Sequence, residues 1–393
     1  MMKIAILTSG ILPVPAVQGG AVENLIDFCL EYNDKHHLHD ITVYSMKHPK
    51  VKRHPALKSA VNHYRYIDTT SLLAKLRRIL YLKKRGGNEY YHYAVEYFFE
   101  QAMKHLRRQS FDIIIMENRP GYALKLKGQV QAKLVVHQGN DFLNSNISRC
   151  QEIYDALTCI INASEYITSQ VRTINPQDIK SRTVLNGIDT KCFYDAYPLP
   201  RNNMGIRDEE FVIVYSGRLT KEKGITELVQ AMSSLTSIPN WKLLIVGASA
   251  YGRDQQPTPF IEELIKVAEP VKDRIIFTGF IDYKQIPSYL KMADIAVVPS
   301  MWEEPFGLTV VEAMAAGLPL ITTRSGGIPE ICEGVATIVE RNGIVDNLAA
   351  AILDLYEHPE KRKQMAEASL ERSKVFDKEI YAQNFFQALE HIE

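Results

Sequence analysis

Cysteine is sparse in this sequence, and the few cysteines are widely separated. Five are scattered over 393 residues without a C-x-x-C pair, at Cys29, Cys150, Cys159, Cys192 and Cys332. Disulfide frameworks and structural zinc sites need cysteines at short, recurring spacings. The pattern therefore argues against both and indicates a reducing compartment.

Long apolar runs are also absent. A membrane-spanning helix takes about 20 predominantly apolar residues, and no run in this sequence approaches that length. The apolar start from Ile4 to Leu12 is interrupted by Thr8, Ser9 and Gly10, and no small-residue cleavage site follows it, so it is a poor secretory signal. We therefore expect a cytoplasmic location.

Neither sign of charge is in excess. Lys and Arg number 46, as do Asp and Glu, so the net charge gives no reason to expect a nucleic-acid partner. The composition, 46 % hydrophobic and 23 % charged, excludes a disordered or collagen-like chain. A chain of 393 residues is expected to form about two or three domains.

Short apolar runs alternate with longer helical patterns, as in strand–helix–strand units whose parallel sheet is covered on both faces. Strands are predicted in the first half at Lys3–Leu7, Ile41–Tyr44, Asp112–Met116, Leu134–His137, Cys159–Asn162 and Thr183–Leu185. In the second half they are predicted at Phe211–Tyr215, Trp241–Val246, Ile275–Thr278, Ile295–Val298 and Leu320–Thr323. We therefore predict an α/β fold with two doubly wound, Rossmann-like domains.

A break in the periodicity separates these two halves. Prolines and asparagines interrupt residues 195–205, which predicts a linker between a first domain, 1–194, and a second domain, 206–376. Residues 377–393 have apolar positions at helical spacing, and we expect this helix to pack back on the first domain. Open parallel sheets bind ligands beyond the carboxyl ends of their strands, so we expect the two domains to face each other across a ligand-binding cleft.

The segment SGRLTKEKG, residues 216–224, follows a predicted strand and opens a helix. Backbone N–H groups at a helix start receive anions, and Arg218 and Lys223 add full positive charges. These features suit a phosphate ligand. A solvated, charged turn is the alternative.

The stretch EEPFGLTVVEAMAAG, residues 303–317, also joins a strand to a helix. Glu304 precedes the helix and Glu312 lies inside it, so the two carboxylates can address one ligand at different depths. Carboxylates accept hydrogen bonds from the hydroxyl groups of a sugar or a ribose. In the alternative, Glu304 only complements the helix dipole and Glu312 is exposed.

Two further candidates lie in the first half. Gly19 and Gly20 open a helix after the first strand and allow a ligand close to the backbone, although a plain tight turn would also use them. The pattern is not G-x-G-x-x-G, which disfavours a dinucleotide dehydrogenase. His137 ends a predicted strand and would face the cleft, whereas a lone histidine is more often structural.

Together these segments resemble the retaining glycosyltransferases of family 4, which have the two-domain GT-B architecture. The resemblance spans nearly the whole chain and is carried by Gly19-Gly20, Asn186-Gly187-Ile188-Asp189, Ser216-Gly217-Arg218 with Lys223-Gly224, and the E-x7-E pattern from Glu304 to Glu312 inside EPFGLTVVEAMAAGLPLI.

The resemblance implies a role for each candidate. Arg218 and Lys223 would bind the donor diphosphate and stabilise its leaving charge without a metal, and Gly20 would donate a backbone N–H to the same phosphates. Glu304 would hold the donor sugar, Glu312 the ribose, and His137 would meet the sugar near the reaction centre. The remaining donor contacts would come from the loop that reads the base, Phe280 and Ile281, and from the segment Pro305, Phe306, Gly307, Leu308 and Thr309.

The implied activity is sugar transfer with retention from a nucleotide-diphosphate sugar, with UDP favoured, and no cofactor. The acceptor would be a carbohydrate or lipid-linked glycan in cell-surface polysaccharide synthesis. A sugar-nucleotide epimerase or a phosphorylase of the same fold and a non-catalytic nucleotide-sugar-binding partner remain alternatives. A phosphorylase would need a pyridoxal lysine that we cannot identify.

The neutral chain contains one strongly basic region. Between Lys47 and Arg108, Lys and Arg exceed Asp and Glu by eleven. Within it, Ser71 to Arg85 interleaves leucines with basic residues, which is typical of an amphipathic helix on an anionic membrane. Such a protein would be peripheral on the inner membrane face. The alternative is a helix that packs its leucines on the domain core. Six nearby aromatic residues could stack on a sugar, but core packing is favoured for Tyr90, Tyr91, Tyr93, Tyr97, Phe98 and Phe99.

Overall fold

The computed structural model describes residues 1–83, 93–248, 258–390 and 392. The strands in these ranges are β1 Lys3–Leu7, β2 Asp40–Met46, β3 Asn62–Ile67, β4 Ile113–Glu117, β5 Lys133–Gln138, β6 Cys159–Asn162, β7 Ser181–Thr183, β8 Phe211–Ser216, β9 Trp241–Val246, β10 Ile275–Phe277, β11 Ile295–Val298, β12 Leu320–Thr323 and β13 Thr337–Val339.

Helices alternate with these strands along most of the chain. They are α1 Ala21–His36, α2 Leu72–Lys83, α3 Tyr93–Leu106, α4 Ala123–Leu126, α5 Cys150–Ala156, α6 Glu165–Arg172, α7 Thr190–Tyr194, α8 Ile225–Ser234, α9 Pro259–Ala268, α10 Ile286–Leu290, α11 Leu308–Ala315, α12 Ile328–Cys332, α13 Ile344–Glu357, α14 Pro359–Ser373 and α15 Lys378–Glu390. Within the described ranges, none of them has the length and apolar character needed to cross a membrane.

The chain divides into two compact units. The first contains Met1–Gly187 together with Lys378–Glu393, and the second contains Ile188–Asp377. Each is built on one wholly parallel sheet, in the order β3-β2-β1-β4-β5-β6-β7 in the first unit and β10-β9-β8-β11-β12-β13 in the second. These are two doubly wound, Rossmann-like sheets, so the predicted fold class is confirmed.

Both faces of each sheet are buried, as continuous apolar strands require. In β1, Ile4 and Ile6 pack into the core on one side of the sheet, while Ala5 and Leu7 pack on the other. The alternation follows from the period of two along a strand.

Three edge strands depart from the prediction. β3 reads NHYRYI, and because its exposed positions are polar it has no apolar run. β13 has three residues and was also missed. The strand predicted at Thr183–Leu185 pairs instead as Ser181–Thr183, since Ser181 lies opposite Ile160 in β6. Each of these three strands pairs with one neighbour only, and most of its side chains are at least partly exposed, so its apolar sequence signal is weak.

The segment expected as a linker, 195–205, lies inside the second unit. The crossings between the units fall at Gly187/Ile188 and Asp377/Lys378. The guanidinium group of Arg201 holds this segment on the unit, because it donates to the Met292 carbonyl and pairs with Asp294 at 3.0 Å. The break in periodicity therefore marks an irregular segment and not a domain boundary.

The final helix, α15, completes the core of the first unit. Its buried side chains, Tyr381, Ala382, Phe385, Phe386 and Leu389, recur at helical spacing. They share a hydrophobic cluster with Leu25, Ile26, Cys29 and Leu30 of α1. The chain thus returns to its first unit after it has built the second.

Candidate functional site

The candidate phosphate-binding and carboxylate motifs follow two neighbouring strands of the second sheet. The order in which successive strands are added to this sheet reverses between β8 and β11, and such sheets bind ligands beyond the carboxyl ends of the strands at this point. The Arg218 and Lys223 segment follows β8, and Glu304 follows β11. The fold therefore brings both motifs to the switch point.

Lys223 and Glu304 form an ion pair there. Lys223 Nζ lies 2.5 Å from Glu304 Oε1, and the side chains are 20 % and 8 % exposed. Ser300 Oγ donates to the same Oε1 at 2.8 Å, and the ammonium group of Lys223 lies 5.3 Å from the ring centroid of Trp302. Both charged side chains are thus held by several partners and keep little freedom of orientation.

Gly224 allows this pairing. Its φ is +71°, and a Cβ there would collide with the carbonyl of Pro299, which immediately follows β11. The Glu222 carbonyl accepts from the backbone N–H of Met301 at 2.9 Å. Only a residue without a side chain lets the Lys223 turn approach the β11 loop this closely.

Arg218 lies in the same loop with a different environment. Its side chain is exposed and has no hydrogen bond or ion pair to the described residues. Its carbonyl accepts a 2.7 Å hydrogen bond from the hydroxyl group of Tyr215, which fixes the loop backbone at the end of β8. The guanidinium group of Arg218 thus projects from an ordered turn.

Glu312 is buried inside α11 and is only 5 % exposed. Burial raises the pKa of its carboxyl to about 7, while a hydrogen bond with the Tyr283 hydroxyl group acts in the opposite direction. A merely exposed helix residue is therefore ruled out for Glu312. Tyr283 comes from the segment between β10 and α10, so two separate parts of the second unit form this contact.

Residues 305–309 connect Glu304 to Glu312. Pro305 and Phe306 are buried, and the Phe306 ring packs edge-on against Phe376 with centroids 5.9 Å apart. Gly307, with φ +116°, occupies the N-cap position of α11, where no side chain accepts from the first turn. The backbone donors of Leu308 and Thr309 at this helix start are therefore available to an anion.

Phe280 and Ile281 lie in the loop that follows β10, and both are half-buried. The preceding Gly279 forms an antiparallel bridge with Gly247, which follows β9. The structure thus places this loop beyond the carboxyl ends of β9 and β10. Neither side chain belongs to the Lys223–Glu304 cluster.

The first unit brings its own polar residues to the carboxyl ends of β1, β4 and β5. Gly19 and Gly20 have φ values of +76° and +112°, and Gly20 is the N-cap of α1. A Cβ at Gly20 would collide with the carboxylate of Glu23. Both positions therefore favour glycine because of their positive φ values, and Gly20 also leaves room for the buried carboxylate of Glu23.

Glu23 was missed by the sequence reasoning. It is buried in the first turn of α1, and Ser9 Oγ lies 3.4 Å from its Oε1. Burial raises the pKa of this carboxyl to about 6, and the nearby charge of Glu117 acts in the same direction. Nothing in the local pattern distinguishes it from an ordinary first-turn glutamate.

His137 ends β5 but is only 3 % exposed. Its Nδ1 lies 2.9 Å from Glu117 Oε2, and its ring packs edge-on against Phe385 of α15 at 5.2 Å. Its Nε2 is buried and has no hydrogen-bond partner among the described residues. The imidazole is thus enclosed beneath the last helix, whereas the sequence placed it facing a cleft.

A cavity of about 970 Å³ lies elsewhere in the first unit. Its lining includes Asp112 and Lys133, which mark the amino ends of β4 and β5. Doubly wound sheets bind ligands at the opposite, carboxyl ends. The candidate site therefore lies at the carboxyl ends of the strands and not at this cavity.

Three residues of the second unit's site were not singled out from the sequence. Ser300 and Trp302 precede Glu304 in the same loop, and that proximity could have identified them. Tyr283 has no such signal, because it reaches Glu312 only through the fold. In the part of the chain that the structure describes, no group of three or more His, Cys, Asp or Glu residues is placed to hold a metal ion.

The family Glycosyl transferases group 1 matches residues 199–372, which contain the site of the second unit. The putative glycosyltransferase YtcC of Bacillus subtilis is 29 % identical over 350 residues, which cover 86 % of this chain and 78 % of that protein. The lipopolysaccharide 1,2-N-acetylglucosaminetransferase of Salmonella typhimurium is 28 % identical in an alignment that covers 72 % of this chain and 74 % of that protein. The structure of the Anabaena protein Alr3699/HepE, solved with UDP and glucose, aligns with this one over 100 % of both chains with a TM-score of 0.74. The two sequences are 20 % identical, so this comparison shows a shared fold.

Proposed function

Because this chain is a GT-B glycosyltransferase with a group 1 domain, we propose that it moves a sugar from a nucleotide-diphosphate sugar, with UDP as the nucleotide, to a carbohydrate or lipid-linked glycan. The observation that carries this proposal is the Lys223–Glu304 pair at the switch point between β8 and β11. A cation and a carboxylate at that point suit a ligand that joins phosphates to hydroxyl groups.

Arg218 and Lys223 are the proposed diphosphate ligands. Arg218 offers an exposed guanidinium fork, which matches the geometry of phosphate oxygens. Lys223 adds a point charge, and the open start of α11 adds backbone donors. As the bond to the sugar breaks, negative charge grows on the leaving diphosphate, and these preoriented donors stabilise it.

The two carboxylates are proposed to bind different parts of the donor. Glu304 lies beside the proposed phosphate ligand Lys223, so it is suited to hydroxyl groups of the transferred sugar. Glu312 lies inside α11 and is held by Tyr283, so it is suited to the ribose. Phe280 and Ile281 are proposed to read the base, and residues 305–309 to contact the sugar and phosphates.

We propose that transfer proceeds with retention at the anomeric carbon. In a front-face reaction the acceptor hydroxyl group attacks on the side of the departing diphosphate, and a phosphate oxygen receives its proton. The residues of the second unit then orient the donor and stabilise charge, and no carboxylate nucleophile is required.

From the first unit, the backbone N–H of Gly20 is proposed to contact the donor phosphates. His137 is proposed to act near the reacting sugar as a positioning residue. Its enclosure between Glu117 and Phe385 supports this role, because those contacts set the ring and the end of β5 in one orientation.

An epimerase and a non-catalytic binder share this fold but are not favoured, because the relatives described above are named as transferases. For the acceptor, the Salmonella relative acts, by its name, on lipopolysaccharide. This supports a cell-surface glycan for the present chain. We also propose a cytoplasmic protein that binds peripherally to an anionic membrane through Ser71–Arg85.

A ligand screen tests the donor assignment. The melting temperature of the full chain is measured with UDP-, GDP- and ADP-sugars, since a ligand that binds only the folded state raises it. We expect UDP-sugars to give the largest shift and slow donor hydrolysis to follow without acceptor. No shift with any nucleotide sugar would contradict donor binding, and a shift without hydrolysis or transfer would favour the non-catalytic alternative.

A further inference from the structure

Arg119 follows β4 at the carboxyl edge of the first sheet and has no role in the function described so far. The order in which strands are added to that sheet reverses between β1 and β4, so Arg119 lies at its switch point. Doubly wound sheets bind ligands beyond this point. The site of the second unit occupies the equivalent place in its own sheet, between β8 and β11.

The backbone on either side of Arg119 is held in place. Asn118 has a φ of +55°, and its Oδ1 accepts from the backbone N–H of Gly139 at 2.8 Å. The N–H of Asn118 donates to the His137 carbonyl at 2.8 Å, which ties this turn to the end of β5. Pro120 is buried, and a proline disfavours the helical conformation of the residue before it. The position of Arg119 at the end of β4 is therefore well defined.

The guanidinium group of Arg119 is half-buried and lacks a protein partner. Among the described residues it forms no hydrogen bond or ion pair, and its Nε is shielded from solvent. Burial lowers the pKa of this group, and the opposing influence comes from Tyr122 and from no carboxylate of the described chain. A buried donor without an acceptor and a buried charge without a counter-charge both cost free energy. Such a group is therefore suited to a ligand that supplies both the acceptor and the charge.

The acidic residues at the same strand ends are engaged elsewhere. The buried Glu117 lies 2.9 Å from His137 Nδ1, and Glu23 Oε1 lies 3.4 Å from Ser9 Oγ. In the described structure neither carboxylate forms an ion pair with Arg119. The switch point of the second unit, by contrast, already contains its ion pair. The first unit thus keeps one cation that no neighbouring acid neutralises.

We propose that Arg119 binds an oxyanion, a phosphate or a carboxylate, that is carried by the acceptor. A guanidinium group is planar and can donate two parallel hydrogen bonds, a geometry that matches both oxyanions. The diphosphate of the donor has its proposed cations, Arg218 and Lys223, in the second unit. The inference rests on the proposed function, because it takes the acceptor to be a glycan, and it narrows that acceptor to one with a negative charge close to the sugar that is extended.

Titration calorimetry tests the proposal on the full chain saturated with UDP, so that the proposed donor site is occupied. The probes are N-acetylglucosamine 1-phosphate, glucuronate and the neutral N-acetylglucosamine. We expect one of the anionic probes to bind about tenfold or more tightly than the neutral sugar, because it adds hydrogen bonds to a charged group. Preference for the phosphate supports a glycan linked to lipid through phosphate, and preference for the carboxylate supports an acidic sugar. No preference for either anion overturns the proposal.

Substitutions at Arg119 connect this preference to one side chain. Arg119→Gln is expected to weaken binding of the preferred anion about tenfold or more and to leave binding of the neutral sugar unchanged. Arg119→Lys should lie between the two, because lysine keeps the charge but not the planar pair of donors. The control is Arg53→Gln, since Arg53 is an exposed arginine of the same unit. Equal losses in Arg119→Gln and Arg53→Gln contradict the assignment.

Two further measurements on Arg119→Gln separate acceptor binding from a structural role and from donor binding. Removal of an unpaired, half-buried charge should leave the melting temperature unchanged or raise it, and a clear decrease would indicate a structural contact and overturn the proposal. UDP affinity is expected to stay the same, and its loss would assign Arg119 to the donor site and also overturn the proposal. If the unmodified chain does not bind UDP, the proposed donor fails, and the same probes then test Arg119 without UDP.

Discussion

At the scale of single residues, the two glutamates of the E-x7-E pattern have different surroundings. Glu304 is paired with Lys223 and accepts from Ser300, so it belongs to a charged cluster at the strand ends. Glu312 has a phenolic partner and a buried position inside a helix. One pattern therefore supplies two carboxylates with different chemistry.

Substitution by glutamine should separate these roles. Glu304→Gln is expected to lower turnover by about 100-fold with UDP affinity nearly unchanged, because UDP lacks the sugar that Glu304 binds. Glu312→Gln should weaken UDP and donor alike, since a ribose contact acts equally in ground and transition states. Titration calorimetry and steady-state kinetics measure both, and equal losses of UDP affinity would show that the two assignments are wrong.

Glu312 should also affect how stability depends on pH. Its carboxyl has a pKa of about 7 in the folded chain, above its ordinary value of 4.5, so the folded state binds the proton more tightly. The resulting stabilisation is fully present below about pH 4.5 and is lost as pH rises to about 7. The melting temperature of Glu312→Gln should therefore fall less than that of the unmodified chain over this range. The control is Glu357→Gln at an exposed position. If the melting temperature of Glu312→Gln falls with pH as steeply as that of the unmodified chain, the raised pKa of the buried Glu312 carboxyl is contradicted.

At the scale of elements, the site of the second unit depends on how closely the turn after β8 approaches the loop after β11. Gly224 provides that approach through its positive φ and its lack of a side chain. The contact brings Lys223 to Glu304 even though they lie 81 positions apart in the sequence. The Lys223–Glu304 pair therefore depends on the close backbone contact at Gly224 as well as on the attraction between the two charges.

Gly224→Ala tests this fit. Gly205→Ala is the matched control, because Gly205 has a φ of +69° but nothing within 4 Å of a Cβ. The control should cost about 1–2 kcal/mol, the penalty of the left-handed conformation alone. Gly224→Ala should cost more and also weaken UDP binding, since the Lys223 turn must move. Urea unfolding and calorimetry measure the two effects, and identical results for both variants would contradict the close contact.

At the scale of the whole molecule, the chain leaves its first unit after Gly187 and returns to it at Lys378. The returning helix α15 buries Phe385 against the cluster that includes β1 and α1, and Phe385 also touches His137. Residues from the two ends of the sequence therefore share one core. The first unit needs the last segment of the chain for its hydrophobic cluster.

Phe385→Ala should selectively loosen the first unit. Loss of a buried phenylalanine costs about 3–5 kcal/mol, and the cavity lies beside β5. We expect faster hydrogen exchange in β1, β4 and β5, with β8 and β11 unchanged. Phe277→Ala is the control, since Phe277 is partly exposed at the end of β10. Faster exchange in both units would contradict a local role for α15.

The basic, leucine-rich segment, residues 71–85, shows why the fold could be predicted from the sequence better than the exposure of particular side chains. Its helical period and charges were evident from the sequence, but the burial of its leucines was left open. Among the aromatic residues near it, Phe98 and Phe99 are in the core as favoured, and Tyr97 is half-buried. Tyr90 and Tyr91 and the side chain of Tyr93 lie outside the described residues.

The sequence by itself determined the α/β class, most central strands, and the motifs that follow β8 and β11, because these depend on short-range periodicity and on the order of residues along the chain. Only the tertiary structure decided that His137 is enclosed, that Tyr283 meets Glu312, and that residues 195–205 belong to the second unit. It also decided that α3, and not α2, covers the sheet. The physical reason is common to all four cases, since burial of a side chain depends on which distant element packs against it, and a local pattern contains no record of that neighbour.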